Sequence, residues 1–274
     1  FLSRIHQPPL YLKLPVFALD ISDRSFKYIQ FEESAHGRRV KTFGSGDIPE
    51  GMVSSGVITD TVKLAELLHN ALAEKKFPYV ALALPEEKGF VRTIHMPRVT
   101  PEEMRDAIAL QLEEYIPLPP EETSFAYHIL PESHPNTIDV LIAAYPASLI
   151  STYRDTANQA GFTPVALEIE SQAIARSVVP ASKEEEVALV VDIGLTRTSF
   201  LFAKNGYTQL TSTIPIGGHT MHESIMKALN VPEEKAEQLK KEQGLSHAMD
   251  ARPVRDALLP LIDSVQNEIQ RRME

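Results

Sequence analysis

The chain has 274 residues, 43% of them hydrophobic and 23% charged, which places it among folded globular proteins and outside the disordered classes. Its formal charge of −10 disfavours a nucleic-acid partner, because phosphate backbones are held by basic surfaces. The absence of cysteine excludes thiol catalysis, disulfides and cysteine-ligated zinc and fits a reducing compartment, and no apolar run approaches the ~20 residues of a membrane-spanning helix.

The first fourteen residues mix Arg4 and Lys13 with Phe1, Leu2 and Ile5. They read either as an arm that docks on a neighbour or a membrane surface, or as a loosely packed terminus. The opening Phe, in place of Met, is read as the start of a fragment. Val16–Ile21 has the pattern of a buried strand, followed by strands at Ser25–Glu33 and Val40–Ile48. Asp60 caps a helix whose apolar positions Leu64, Leu67, Leu68, Ala71 and Leu72 share one face. Tyr79–Leu84 is a continuous apolar run suited to a strand covered on both sides.

From residue 85 to about 164 the pattern runs strand, helix, strand, strand, helix, an α+β module inserted into a larger unit. Its first helix opens with Thr100 as N-cap, Pro101 at the first helical position and Glu103 closing a capping box. The prolines of "YIPLPP" end that helix. Strands are expected at Ser124–Leu130 and Asp139–Ala144, and a second helix from about Ser148 to Ala160, stopped by Gly161. "EIESQAIARSVV" reads as a helix and "ASKEEE" as a solvated linker. Strands then return at Val187–Ile193, Thr198–Lys204 and Tyr207–Ile214, the last two joined by the hairpin dipeptide Asn205-Gly206.

The opening pattern thus occurs twice. "ALDISDRSFKYIQF" and "VVDIGLTRTSFLF" each run a strand into Asp-Ile, turn through small polar residues and resume as a strand. Each meander ends in Ile-Pro-x-Gly, at Ile48–Gly51 and Ile214–Gly217. A carboxylate at a strand end, followed by a turn of N–H and hydroxyl groups, can hold a hydrated Mg²⁺ while the turn cradles phosphate oxygens. Two such turns facing each other would grip a nucleotide from both sides. Lys27, seven residues after Asp20, reaches a phosphate if its strand turns it inward. Taken singly, each turn is equally an ordinary β-turn.

With "ALQLEEYIPLPPEET", "AGFTPVALEIESQAIAR" and "IPIGGHTMHESIMKAL", these stretches resemble the actin-like ATPase superfamily. More narrowly, they resemble its PilM family of type IV pilus assembly, from about residue 15 to the end. The resemblance implies an α/β fold of two duplicated lobes with an inserted subdomain of the 1C type. The expected division is an N-terminal arm at 1–14, subdomain 1A at 15–84 and 165–180, and subdomain 1C at 85–164. Subdomain 2A, incomplete, falls at 187–216 and 255–274, and subdomain 2B at 217–254. It implies ATP and Mg²⁺ as cofactors, with Asp20 and Asp192 organising the metal. Ser22, Lys27, Gly194, Thr196 and Thr198 would contact phosphates, and Gly217-Gly218 would let the backbone approach. Glu237 and Lys240, on one helix face, would meet the ribose and base, or are an incidental pair on a solvated helix. Glu170 would position a hydrolytic water, with Asp192 as its catalytic companion, or is a helix-start carboxylate.

The resemblance further implies a cytoplasmic adaptor held at the inner membrane through partners. The N-terminal peptide of a PilN-like protein would sit in a groove lined by Leu112, Tyr115 and Ile116, positions that could equally be core. Other pilus proteins and self-association are further expectations. Two departures from the family pattern stand out. Ser22 occupies a usual glycine position, and "SVQNEIQRRME" ends before a glycine-rich adenosine loop, so the C-terminal part of the second lobe is expected to be missing and any ATPase activity weak or absent. A filament former resembling FtsA and a sugar-kinase-like phosphotransferase are the alternative readings. His219 and His222, with Glu223 adjacent, are set aside as a helix-surface pair lacking a further metal ligand.

Overall fold

A computed structural model describes residues 14–34, 37–130, 136–179 and 187–273. The expected arm lies outside the described residues except for Leu14, and the expected linker at 181–186 lies outside them entirely. The chain divides into two units, Phe1–Val178 and Val179–Glu274.

The first unit is built on β1 (Val16–Ile21), β2 (Ser25–Ser34) and β3 (Gly37–Asp47), an antiparallel meander. β1 also pairs in parallel with β6 (Tyr79–Leu84), and β6 with β10 (Thr163–Ile169), giving a five-stranded sheet in the order β10-β6-β1-β2-β3. β4 (Val53–Ser54) and β5 (Val57–Ile58) make a small hairpin between β3 and the first helix. Helix α1 (Thr61–Leu72) starts where Asp60 accepts from the Lys63 N–H at 3.0 Å, and it buries Leu64, Leu68 and Leu72. Phe17 stacks on Phe77 at 4.3 Å and meets Phe162 edge-on at 5.2 Å, fixing β1 in the core.

The same unit holds a second, three-stranded antiparallel sheet, β7 (Phe90–Pro97), β9 (Thr137–Pro146) and β8 (Thr123–Ile129), in that order. Helix α2 (Pro101–Tyr115) lays Met104, Ile108 and Leu112, four apart, onto Ile94, Met96, Ile138 and Val140. Its capping box forms as expected between Thr100 and Glu103. Helix α3 (Ala147–Gln159) differs from the expectation of a self-contained module: it packs on α1, β6 and β10 as well as on β9. Helix α4 (Glu170–Val178) begins two residues later than "EIESQA" implied. Glu168 and Ile169 are drawn into β10 by parallel pairing with Ala83 and Leu84, a long-range term that outweighs local helix propensity.

The second unit carries β11 (Val187–Ile193), β12 (Thr198–Lys204) and β13 (Tyr207–Ile214), an antiparallel meander with the boundaries read from sequence. Asn205 (φ 54°) and Gly206 (φ 79°) both take the left-handed conformation of the two-residue hairpin. Helices α5 (Gly218–Leu229), α6 (Glu233–Glu242) and α7 (Arg252–Met273) close a small core of Ile225, Ala236, Val254 and Leu258.

α7 is bound to the sheet by one acidic residue. Glu268, 7% exposed, accepts from Arg272 at 2.9 Å, from Arg271 at 2.5 Å and from the Ser212 hydroxyl of β13 at 2.9 Å. Arg272 first, then Arg271, hold its carboxyl down to about 2. A carboxyl whose folded value lies below its unfolded one, about 4.3, stabilises the fold above that unfolded value. The contribution is lost as pH falls towards 2. Acid unfolding followed by circular dichroism is therefore expected to show a loss of stability between about pH 5 and 2. In Glu268→Gln that loss should be smaller, with lower stability at neutral pH.

Candidate functional site

The two Asp-Ile turns close with the same backbone bond. The Ser22 N–H donates to the Ser25 carbonyl at 2.8 Å, and the Gly194 N–H to the Arg197 carbonyl at 2.8 Å. Register matches too: Ile21 pairs with Phe26 and Ile193 with Thr198. The Ser22 and Gly194 amides are thus occupied by the turns themselves, leaving the Ser22 hydroxyl and neighbouring groups as the possible phosphate donors.

In the first unit, Asp20 sits across from Lys27, whose Nζ lies 3.7 Å from the Asp20 Oδ2. Asp23, unnoticed in the sequence, accepts from the Ser55 and Gly56 N–H groups of the β4–β5 hairpin at 3.1 and 2.9 Å. The buried Tyr153 hydroxyl of α3 donates to the Gly56 carbonyl at 2.9 Å. Burial raises the Tyr153 phenol above its ordinary pKa, and the Asp20, Asp23 and Glu170 carboxylates add to the shift. The charges of these three acids thus act in the same direction on one buried phenol. A second phenol, Tyr145, is raised by burial and then by Glu86 and Glu170. The carboxylate that accepts from the first turn of α4 is Glu86, at 3.2 Å from the Ser171 N–H. Glu170 is the first residue of that helix and is half-buried.

In the second unit, Asp192 and Thr196 are exposed. Thr198 is not available as a phosphate ligand: it is fully buried, and its hydroxyl donates to the Ile216 carbonyl at 2.7 Å, holding β12 to the segment before α5. The start of α5 folds onto the turn, with the Gly218 N–H donating to the Gly194 carbonyl at 2.9 Å and His219 N–H to the Leu195 carbonyl at 2.8 Å. Gly217 is required for that approach. A Cβ there would lie 2.5 Å from the Leu195 oxygen and 2.6 Å from the Arg197 nitrogen. Its counterpart Gly51 has open space around it and a φ of 85° instead. One motif position thus serves close packing in one unit and a left-handed turn in the other.

α6 brings Lys240 to the same place. Its Nζ lies 3.3 Å from where a Gly218 Cβ would be, and burial lowers its pKa. Among the described residues no side chain pairs with this ammonium. Glu237 pairs instead with Lys241 at 2.6 Å. A half-buried ammonium beside the positive end of α5 and a glycine pair is a setting that favours an anion. The residues fit a phosphate-bearing ligand. The exposed Asp192 offers a hard oxygen donor of the kind that suits a Mg²⁺ ion.

The expected peptide groove fares differently. Leu112 and Ile116 are 3% and 2% exposed and belong to the core beneath α2, packed against β7 and β9. Of the three candidates, Tyr115 alone keeps part of its surface.

A model of the family described as "Type IV pilus assembly protein PilM" matches residues 18–274. The chain belongs to the PilM family. Among solved structures it is similar to the PilM-PilN type IV pilus biogenesis complex. There 22% of residues are identical over 94% of this chain and 76% of that one, with a TM-score of 0.79. The ethanolamine utilization protein EutJ from Carboxydothermus hydrogenoformans matches at 14% identity, over 93% of this chain and 70% of that one, with a TM-score of 0.54. MreB5 of Spiroplasma citri bound to ADP matches at 16% identity, over 94% and 78%, with a TM-score of 0.55. The fold of this PilM-family chain is accordingly that of the actin-like ATPases.

Gly217→Ala is expected to cost about 1–3 kcal/mol, the range for overpacking a close contact. Urea unfolding measures it, and Gly51→Ala, strained by its positive φ but not crowded, should cost less.

Proposed function

We propose that this PilM-family protein is a cytoplasmic ATP-binding adaptor of the pilus assembly complex at the inner membrane, docking the N-terminal peptide of a PilN-like protein. The observation that carries the reading is the family match together with the similarity, over 94% of the chain, to a PilM solved as a complex with PilN. Among the described residues no helix is long and apolar enough to cross a membrane, so attachment through a partner suits the chain.

ATP is proposed as the ligand of the two Asp-Ile turns, with Mg²⁺ held by Asp20 and Asp192. The groups left for phosphate are the Ser22 hydroxyl, Lys27 and Thr196, with Gly217-Gly218 letting a ligand approach the backbone at the start of α5; the Gly194 and Gly218 amides are already spent within the fold. Lys240 is assigned to phosphate charge and Glu237 to the nucleoside, with Lys241 released from its ion pair. Glu170, the half-buried first residue of α4, is assigned the water-positioning role on the family resemblance. In this reading bound nucleotide selects among conformations of the adaptor, and turnover is slow. MreB5 was solved with ADP and with AMPPNP, which supports nucleotide binding by this fold.

Calorimetric titration of the chain with the N-terminal peptide of its PilN-like neighbour is expected to give saturable one-to-one binding. Absence of binding by the folded chain refutes the adaptor reading. Tyr115→Ala should weaken that binding by about tenfold, the scale of a modest aromatic anchor. Separately, Asp192→Ala is expected to weaken Mg-ATP binding about tenfold or more, because it removes a charged metal ligand; unchanged affinity removes Asp192 from the site.

A further inference from the structure

His219 and His222 lie three apart on α5, on one face of the helix. The sequence offers them no third ligand, but the fold does: Glu233, the first residue of α6, comes to the same face. One nitrogen from each ring and one Glu233 carboxylate oxygen all lie within 4.8 Å of one another. His222 is 6% exposed, and its Nε2 is buried with no hydrogen-bond partner. An orphaned buried nitrogen is costly and calls for an explanation. His219 is held by neither of its acidic neighbours, its Nε2 standing 3.6 Å from Glu223 and its Nδ1 3.9 Å from Glu233, beyond hydrogen-bond length.

We propose that His219, His222 and Glu233 form a three-ligand site for a Zn²⁺-class divalent ion, clasping α6 to α5 beside the Asp192 turn. Two imidazoles and one carboxylate, without thiolate, make a donor set for zinc, cobalt or nickel, whereas magnesium and calcium take oxygen ligands. Ligand atoms around one tetrahedral zinc stand about 3.4 Å apart, given metal–ligand bonds of about 2.0–2.1 Å. The side chains must therefore draw together by up to about 1.4 Å. The two that would move, His219 and Glu233, are exposed, while His222 is anchored in the core. Metal on the Nδ1 side of His219 leaves its Nε2–H for Glu223, the outer-shell carboxylate that ligating histidines usually find. The Lys240 ammonium opposes a cation here; the Glu233 and Glu237 carboxylates act in the other direction on the same ring. A fourth position would stay open to water.

The site is independent of the nucleotide reading and is tested without nucleotide. The full chain is titrated with Co²⁺, followed by its visible absorption, and with Zn²⁺ against a chelator of known affinity. The expected result is one tightly bound ion per chain. His219→Ala and Glu233→Gln, both at exposed positions, should each weaken it by at least about tenfold, since even outer-shell changes cost 10–100-fold. Circular dichroism should remain unchanged. Absence of a bound equivalent in the unaltered chain, or full affinity in either variant, overturns the proposal.

Discussion

With only a hydrogen at Cα, Gly217 allows the Leu195 carbonyl and the Arg197 amide into the volume that a methyl group would fill. That contact seats the first turn of α5 on the Asp192 turn, where the Gly194 and Leu195 carbonyls take up the Gly218 and His219 N–H groups. Three features of the second unit follow from it. Lys240 meets the helix start, His219 faces α6, and the helix end lies against Gly194 and Leu195, just after the exposed Asp192 in the chain. The sheet supplies the strands, but the site-building geometry comes from this one close approach.

The first unit reaches a comparable turn by other means. There the loop is braced from the side, Asp23 gripping two amides of the β4–β5 hairpin. The duplicated sequence motif thus conserves the strand–Asp–turn–strand path and its closing bond while the supports differ. This explains why Ser22 is tolerated where Gly194 stands in the other copy. In each case the amide is spent inside the turn, and at Ser22 the brace comes from Asp23 rather than from a helix packed against it.

Local chemistry was legible in the sequence; encounters between distant segments were not. Asp60, the Thr100–Glu103 box and Asn205-Gly206 act on neighbours within four residues, so their roles could be read directly. The strands at Val187–Ile193, Thr198–Lys204 and Tyr207–Ile214 show clear periodicity and a strong turn between the last two. By contrast, Glu168 and Ile169 look helical until β6 recruits them into parallel pairing. Leu112 and Ile116 looked like possible groove residues because apolar spacing alone does not say which face is covered; the β7–β9 sheet covers it. Thr198 stood among the phosphate contacts that the family resemblance implied, yet its hydroxyl is spent on the Ile216 carbonyl. Asp23 sat in plain view within "DISDRS", and only the approach of the β4–β5 hairpin gives it a role.

Gly56 receives Asp23 at its amide and Tyr153 at its carbonyl, so a single glycine stands between a loop carboxylate and a helix phenol. Mechanically, this is a tie-rod. Neither the Asp20 turn nor α3 can shift far without stretching one of two hydrogen bonds or carrying the hairpin with it. The rod has almost no slack, because a Cβ at this residue would already overlap the Pro85 ring at 2.4 Å. Pro85 directly follows β6, the strand that links β1 to β10. A disturbance at the acidic turn therefore has a stiff route into the middle of the sheet rather than dissipating in the loop that bears it.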